Sequence, residues 1–362
     1  MKLLVLELFA GIGACSKALE RLGIEHEIVD AVEIDKFAIK SFNAIHGTNF
    51  EAQDISKWNK DIKVDLIMHG SPCQDFSIAG KGAGGDKGTG TRSSLMYETL
   101  RIVDKVKPKY VIWENVKNLL SNKHRHNFEA YLQTMEELGY VNYYQVLNAK
   151  DYGIPQNRER IFMISVYLPD EPKFGDDLQS LGIFKFPNPI KLKTSLKDIL
   201  DKEVDKKFYL SPSVYANVEV KEITDKTRKN HPVRIGGLYD KNGDKFKHHQ
   251  AGSIYDTSGI APTLSTMQGG NQEPIIRCND GIRKLTPKEC WRLMGYTDED
   301  FEKAYNAGVS NSQLYKQAGN AIVKQVLMAI FSQLNIKGVK AWNDMTETER
   351  RDIIKKTTMA GE

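Results

Sequence analysis

Four polar side chains in the sequence are of the types that attack or stabilise a reacting group: Cys73, Glu114, Arg158 and Arg160. A cysteine thiolate is a strong nucleophile, a carboxylic acid can hydrogen-bond or protonate an attacked ring, and guanidinium groups bind phosphates and carbonyls. Pro72 stiffens the turn before the cysteine and would hold a thiolate in one orientation. This set indicates nucleophilic catalysis on a substrate that carries carbonyl or phosphate groups.

Structural interpretations stand beside these chemical ones. A free cysteine usually behaves as a small buried hydrophobe, so a Pro-Cys turn taken alone is more often structural. Arg158 and Arg160 lie two residues apart ahead of a predicted strand and point to the same face. There they would fix a phosphate or a carbonyl, or simply pair with Glu159 on the surface. The residue types alone leave both interpretations open.

A glycine turn over residues 9–13, with the sequence FAGIG, connects the first predicted strand to a helix. Glycines let the backbone approach a ligand beside a helix N-terminus, although a GxG turn is often only a tight connection. Glu33 ends the second strand 20 residues after Gly13, where an acidic side chain can hold the hydroxyls of a ribose. This pairing indicates an adenosine-containing ligand, either NAD or S-adenosylmethionine. The alternative is that Glu33, Asp35 and Asp54 cap the helices that follow them.

A glycine-dense, basic loop over residues 79–92 begins shortly after the cysteine. The loop has almost no bulky apolar side chains, so it cannot pack stably without a partner. We interpret it as a lid that closes over a polyanionic substrate, with a flexible connector as the alternative.

Short apolar runs alternate with helical patterns through the first half of the chain. The runs lie at residues 3–9, 26–32, 64–68, 110–113 and 160–166, and the helical patterns at 16–22, 36–45, 95–106 and 128–138. This rhythm predicts an α/β fold with a doubly wound, mostly parallel sheet and helices on both faces. Periodicity is lost at residues 169–189, and short strands and loops are predicted over 190–282. Helical patterns return at 286–294 and 321–334, and a peripheral charged helix is predicted at 346–356.

The composition is that of an ordinary soluble globular protein, with 40% hydrophobic and 27% charged residues. A chain of 362 residues accommodates one large domain and a smaller one. No apolar run approaches the roughly 20 residues of a membrane span, and the apolar start is broken at Glu7, so a cytoplasmic location without membrane contact is expected. The cysteines at positions 15, 73, 278 and 290 have no CxxC or metal-ligand spacing, so no metal site or disulfide framework is predicted.

Positive charge is concentrated in one part of the chain. Residues 190–250 contain 14 lysine or arginine residues against 9 aspartate or glutamate residues, while the net charge of the whole chain is +4. A locally basic segment can contact a phosphate backbone, and a solvated lysine-rich surface is an equally good interpretation of charge alone.

Taken in their order along the chain, these motifs resemble the DNA (cytosine-5)-methyltransferase family of bacterial and phage type. The matching segments are residues 9–13, 33, 54, 72–74, 114–116, 156–160, 283–290 and 317–321. Chance is a poor explanation for eight such segments in one order. Two departures are small: Ser71 stands where many members carry an aromatic residue, and Asn157 sits between Gln156 and Arg158. Neither removes a group that the chemistry uses.

The resemblance implies an enzyme that depends on S-adenosylmethionine and acts on double-stranded DNA. It implies that Cys73 is the nucleophile, Glu114 the acid that grips cytosine, and Arg158 and Arg160 the pair that orders the site. The residues expected to line the cofactor pocket are Phe9, Ala10, Gly11, Gly13, Glu33, Ile34, Asp54, Ile55, Pro72, Leu95, Asn320 and Ile322. The residues expected to contact DNA are Gln74, Ser77, Lys81, Arg92, Thr266, Gly269 and Gly270.

The family's organisation divides the chain into five parts. We expect a Rossmann-like catalytic domain at 1–186, an irregular, β-rich target-recognition domain at 187–285 and a hinge at 286–312. A helix at 313–335 would return to the catalytic domain, with Asn320 beside the cofactor and as N-cap of the residues that follow, and 336–362 form a charged tail.

The reaction that the resemblance implies begins when the target cytosine is flipped out of the duplex. The thiolate then adds to carbon 6, and a methyl group is transferred to carbon 5. One flipped base needs only one copy of the chain, so a monomer is expected. The enzyme would be either solitary or part of a restriction-modification system with a separate endonuclease.

Three rival functions share part of this pattern. A tRNA-modifying branch of the family has most of the motifs, but the basic recognition segment favours DNA. A DNA-binding regulator without activity would have no use for the thiol. A NAD-linked oxidoreductase explains the glycine turn and Glu33 but not the later motifs.

Overall fold

The computed structural model describes residues 2–72, 92–169, 183–211, 218–220, 230–238, 252–269 and 272–358. These form two compact units. Unit 1 comprises residues 1–147, 159–188 and 326–346, and unit 2 comprises residues 148–158, 189–325 and 347–362, as far as each range is described.

Unit 1 is built on a sheet in which six strands are described. They are β1 (Leu3–Leu8), β2 (His26–Val32), β3 (Leu66–His69), β4 (Tyr110–Val116), β5 (Tyr140–Asn148) and β6 (Glu159–Tyr167). Their order across the sheet is β2-β1-β3-β4-β6-β5. The pairs β1–β2, β1–β3 and β3–β4 are parallel, and β4–β6 is antiparallel. The protein is therefore a mixed α/β protein with a large, mainly parallel sheet, as the sequence predicts.

Four α-helices are described between these strands: α1 (Ala14–Arg21), α2 (Lys36–His46), α3 (Met96–Val106) and α4 (Arg125–Glu137). Their ends follow local chemistry. The Asp35 carboxylate accepts hydrogen bonds from two backbone amides at the start of α2, and Gly47 ends that helix in the left-handed conformation. Buried side chains of the sheet, α3 and α4 share one core. Because β1 to β4 pair in parallel, their carboxyl ends lie at one edge of the sheet.

Unit 2 contains a second, five-stranded sheet among its described residues. Its strands are β7 (Val218–Val220), β8 (Arg234–Leu238), β9 (Ser253–Asp256), β10 (Ile275–Cys278) and β11 (Gly281–Lys284). They lie in the order β11-β10-β9-β8-β7, with only β9–β10 parallel among the described pairings. A small cluster of isoleucine and leucine side chains forms its core.

Short helices follow this sheet: α5 (Pro287–Arg292), α6 (Asp298–Asn306), α7 (Asn311–Asn320), α8 (Lys324–Ser332) and α9 (Glu347–Thr358). The division between the units falls within α8. None of the helices in the described ranges has the length and apolar character that a bilayer crossing requires.

Three details differ from the sequence-based expectations. The predicted helix at 313–335 is two helices, because residues 321–323 interrupt it. Asn320 therefore ends α7, and its predicted role as an N-cap is wrong. Strand β5 and helix α6 were not predicted. The five-part division of the chain stays a prediction.

Candidate active site

The glycine turn after β1 has a conformation that its sequence requires. Phe9, Gly11 and Gly13 have φ values of 53°, 55° and 79°, all in the left-handed region. A Cβ atom on Gly13 would lie 2.0 Å from Nε2 of His46, so a larger residue has no space there. Two of the three positions are glycine because that residue adopts this backbone shape without strain.

Glu33 is bound to the glycine turn. Its Oε2 accepts a hydrogen bond from the Gly11 amide at 3.0 Å, and its Oε1 accepts one from the Asp35 amide at 2.8 Å. Burial raises the pKa of Glu33, and hydrogen bonds from backbone amides, the largest from Asp35, limit that rise. Asp35, not Glu33, caps α2, so the capping alternative for Glu33 is wrong. Each carboxylate oxygen of Glu33 keeps a further lone pair for a ligand hydroxyl.

Glu7 in β1 is bonded to the helix that follows the same turn, and it was not identified as a site residue from the sequence. It is buried in β1, and its Oε1 accepts hydrogen bonds from the Ser16 amide, at 3.0 Å, and from the Ser16 hydroxyl. Burial raises the pKa of Glu7 to about 7. An acidic residue inside the apolar run LLVLEL was the available signal, because a buried carboxyl is rare without a partner.

Two further predicted cofactor residues, Ile34 and Asp54, follow β2 along the chain. Ile34, which follows Glu33 directly, is 72% exposed. Asp54 caps the short turn at Ile55–Lys57 by accepting from the amide and hydroxyl of Ser56 at 3.0 and 2.8 Å. These hydrogen bonds lower the pKa of Asp54. The cap and a ligand role remain compatible, because the caps use Oδ1.

The turn after β3 is held by side chains of β4. Ser71 is buried, and its Oγ accepts hydrogen bonds from Trp113 Nε1 at 3.0 Å and from Asn115 Nδ2 at 3.3 Å. Asn115 Nδ2 also donates to the Ser71 carbonyl at 3.3 Å. Pro72 follows and is partly exposed. The serine that departs from the family pattern therefore has a role in fixing this turn.

Glu114 lies between these two β4 residues and meets Arg160. Arg160 Nε lies 3.1 Å from Glu114 Oε1, and the two side chains are 16% and 11% exposed. The carboxylate of Glu159 instead pairs with Lys117 at 3.2 Å, so the alternative in which it serves the arginines is wrong. A largely buried carboxyl oriented by a guanidinium can form directed hydrogen bonds to a planar polar ring.

His69 at the end of β3 is part of the packing below the site. Burial lowers its pKa to about 3, so the ring is neutral at physiological pH. Its Nε2 lies 2.9 Å from the Tyr131 hydroxyl, and its ring stacks on Trp113 with centroids 5.7 Å apart. His69 thus supports the strand end as an aromatic packing residue.

Arg158 donates three hydrogen bonds within unit 2, to acceptors different from the partner of Arg160. It is 4% exposed, with Nη1 donating to the Leu264 carbonyl at 3.1 Å. Its Nη2 donates to the carbonyls of Gly319 and Ala321, both at 3.0 Å. Arg158 therefore ties the chain near Leu264 to the turn after α7.

Gln156 strengthens the same connection. The residue is fully buried, its Oε1 accepts from the Leu264 amide at 3.1 Å, and its Nε2 donates to the Leu293 carbonyl at 2.8 Å. A Cβ atom on Gly319 would lie 1.9 Å from the Ser265 carbonyl oxygen, so these two backbones are in close contact. Residues 156–158 (QNR) and Gly319 together fix the loop that carries the predicted DNA contacts Thr266 and Gly269.

The remaining predicted residues are less informative. Gly269 is exposed with a φ of 93°, and Thr266 and Ile322 are partly buried. Asn320 is exposed at the end of α7, and Leu95 packs partly buried against the unit 1 core. The predicted residues outside the described part of the chain are Cys73, Gln74, Ser77, Lys81 and Gly270, together with the side chain of Arg92 and most of the predicted lid.

Comparisons with known proteins agree with these motifs. The family model of C-5 cytosine-specific DNA methylases matches residues 3–335. The type II methyltransferase M.HhaI of Haemophilus parahaemolyticus is 40% identical over 343 residues, covering 92% of this chain and 95% of that protein. The orphan methyltransferase M.SPBetaI of Bacillus phage SPbeta is 32% identical over 436 residues, covering 92% and 97%. The crystal structure of the S. pombe Dnmt2 methyltransferase shares the fold, with a TM-score of 0.64, 21% identity and coverage of 92% and 98%.

Proposed function

The chain belongs to the C-5 cytosine-specific DNA methylase family, and we propose that it transfers the methyl group of S-adenosylmethionine to carbon 5 of a cytosine within a specific sequence of double-stranded DNA. The observation that carries this proposal is the Glu114–Arg160 pair. Glu114 lies in β4 between Trp113 and Asn115, whose side chains hold the turn before Cys73.

Cys73 is the nucleophile in this proposal. Carbon 5 of cytosine is a poor nucleophile, so the ring must first be activated. The thiolate adds to carbon 6 and moves electron density to carbon 5. After carbon 5 has taken the methyl group and lost its proton, the carbon–sulfur bond breaks and the thiolate is released. Trp113 and Asn115 support this step by orienting the backbone two residues before the thiol.

Glu114 holds the base while the thiolate attacks. Its carboxyl hydrogen-bonds the N3 and amino edge of cytosine, which stabilises the charge that develops as the ring is attacked. Arg160 orients this carboxyl through the 3.1 Å contact. Arg158 has the role of a positioning residue in this proposal, because its guanidinium donates to three backbone carbonyls.

The cofactor residues of the motif fit an adenosine-containing sulfonium. The left-handed turn at Gly11 and Gly13 brings backbone close to a ligand, Glu33 has lone pairs for ribose hydroxyls, and Ile34 offers an exposed apolar side chain to a purine. The proposed pocket also takes in Phe9, Ala10, Asp54, Ile55, Pro72 and Leu95 of unit 1, and the family resemblance of the sequence adds Asn320 and Ile322. When bound, S-adenosylmethionine supplies an electrophilic methyl group.

Unit 2 is the proposed target-recognition part of the protein. The loop at Thr266 and Gly269 is held by Arg158 and Gln156, so it can present fixed contacts to a groove of DNA. Because the target atoms lie inside the base stack, we propose that the cytosine is flipped out of the helix. The type II relatives are compatible with either a separate cognate endonuclease or a solitary enzyme, and the monomer and cytoplasmic location expected from the sequence belong to the same proposal.

The decisive experiment uses duplex DNA that carries 5-fluorocytosine at the target site. Fluorine at carbon 5 cannot leave as a proton does, so a productive reaction leaves the protein covalently joined to DNA. We expect a denaturation-resistant adduct with the wild-type protein and S-adenosylmethionine, and none with Cys73→Ala. Absence of the adduct at a site that mapping of 5-methylcytosine has identified would refute the proposal.

Two controls separate the rivals. Cys290→Ala is a matched control, because Cys290 is buried in unit 2 and is expected to leave the adduct intact. Transfer of labelled methyl to duplex DNA is compared with transfer to tRNA. Transfer to tRNA alone would replace the proposed substrate, and binding without any transfer would indicate a regulator.

A further inference from the structure

Residues 53–60 form a segment in which the family resemblance assigns a role only to Asp54 and Ile55. The segment carries both Asp54 and Ile55, and the backbone N–H of Gln53 donates to the Glu33 carbonyl at 2.8 Å. Its only regular element is the three-residue turn at Ile55–Lys57. A segment with so few internal hydrogen bonds needs external anchors to keep one conformation.

Asp30 in β2 provides the first anchor. Its carboxylate is fully buried and accepts hydrogen bonds from Gln53 Nε2 at 2.8 Å and Trp58 Nε1 at 2.7 Å. Lys60 Nζ lies 2.7 Å from the same Oδ2 as Trp58. Three donors from both ends of the 53–60 segment therefore meet on one carboxylate. An aspartate in a buried strand is uncommon, and here these partners compensate it.

Arg101 in α3 provides the second anchor. Its Nη1 donates to the Trp58 carbonyl at 2.9 Å and its Nη2 to the Ile55 carbonyl at 3.0 Å. Lys105, one turn later in the helix, donates to Asn59 Oδ1 at 2.6 Å. The 53–60 segment is thus held by the Asp30 carboxylate of β2 and by the Arg101 and Lys105 side chains of α3.

We propose that Asp30 and Arg101 are positioning residues that hold the 53–60 segment in the conformation required by the adenosine end of the cofactor. This inference rests on the proposed function. It assigns cofactor affinity partly to residues that touch no ligand. Both anchors act on the backbone and side chains around Asp54 and Ile55, so loss of either is expected to weaken binding before it affects the chemical step.

The test measures the affinity of the full-length protein for S-adenosylhomocysteine by calorimetry, together with hydrogen–deuterium exchange. Asp30→Asn keeps the size of the side chain but replaces one carboxylate oxygen by an NH₂ group, which cannot accept the hydrogen bonds of Gln53, Trp58 and Lys60. We therefore expect at least tenfold weaker binding of S-adenosylhomocysteine and faster hydrogen–deuterium exchange across residues 53–60. Arg101→Met is expected to act in the same direction, and Arg101→Lys to restore part of the affinity. Affinity for duplex DNA without cofactor is expected to stay within twofold.

Asp65→Asn is the matched control. Asp65 Oδ2 accepts a hydrogen bond from the Leu4 amide at 2.9 Å, at the amino end of the strands and therefore at the edge opposite the cofactor. It is expected to lower thermal stability while leaving cofactor affinity within twofold. Unchanged affinity in both Asp30→Asn and Arg101→Met, or an equal loss in Asp65→Asn, would overturn the inference. Arg101 is partly exposed, so its variants test the inference even if Asp30→Asn does not fold. A wild-type protein without cofactor affinity would overturn the proposed function as well.

Discussion

Replacement of Arg158 by lysine tests whether this residue holds unit 2 together. The arginine donates to three carbonyls from a site that is 4% exposed, at distances of 3.0 to 3.1 Å. A lysine ammonium is a single charged group at the end of a flexible chain, so it cannot bond all three carbonyls that the planar guanidinium group of arginine reaches. A hydrogen bond from a charged donor contributes about 1.5–3 kcal/mol, so the loss of two of them should lower the free energy of unfolding by about 3–6 kcal/mol.

Urea unfolding and differential scanning calorimetry measure this loss directly. Since about 1 kcal/mol corresponds to about 2–4 °C in a domain of this size, the melting temperature should fall by about 6 °C or more. Arg234→Lys is the control, because Arg234 is exposed and its Nε makes one 3.3 Å bond to the nearby Gly236 carbonyl. We expect about 0.5 kcal/mol or less there. A loss below about 1 kcal/mol in Arg158→Lys would refute the assigned role.

Two further predictions concern the cofactor turn. Folding favours the protonated form of Glu7, because its pKa rises from 4.5 to about 7 on burial, so the stability that it contributes is complete below pH 4.5 and is lost as the pH rises through 7. The free energy of unfolding of the wild type, measured by urea unfolding, should therefore fall by about 3 kcal/mol relative to that of Glu7→Gln over this pH range. A difference between the two proteins that does not change with pH would contradict the burial argument. Gly13→Ala should destabilise the protein more than Gly11→Ala, since an added Cβ meets His46 at 2.0 Å in the first case and nothing within 4 Å in the second. Left-handed strain of about 1–2 kcal/mol is common to both, so equal losses would show that His46 moves aside.

The sequence predicted the parts of the fold that depend on local patterns. Apolar runs identified β1 to β4 and β6, because strands buried on both faces need such runs. Strand β5 was missed because its sequence YVNYYQVLN has no clean alternation and a mixed burial pattern. Helix α6 was missed because its sequence DEDFEKAYN is dominated by charged and polar residues, and a cap at Thr297 sets its start.

The motifs singled out Glu33, Glu114 and Arg160 as residues of the site, and their roles stay predictions. Their contacts with one another and with the backbone were not predicted: Glu33 accepts from the Gly11 amide, and Glu114 pairs with Arg160. The three acceptors of Arg158 were beyond prediction, since they lie 106, 161 and 163 residues away along the chain. Asp30 was missed for the same reason, because its role depends on a segment that folds back from residues 53–60.

Strand β4 has a consequence for how this protein tolerates mutation. Trp113 and Asn115 face the serine of the neighbouring turn, while Glu114, which points the opposite way, meets Arg160. A one-residue insertion or deletion within Tyr110–Val116 would turn the later side chains to the opposite faces of the sheet. Both the contacts to Ser71 and the Glu114–Arg160 pair would then be lost at once, whereas most point substitutions remove only one of them. A deep mutational scan that includes length variants should therefore find this strand far less permissive to changes of length than to changes of residue type. Two-residue length changes keep the faces but displace the acid along the strand, and they are expected to be just as damaging.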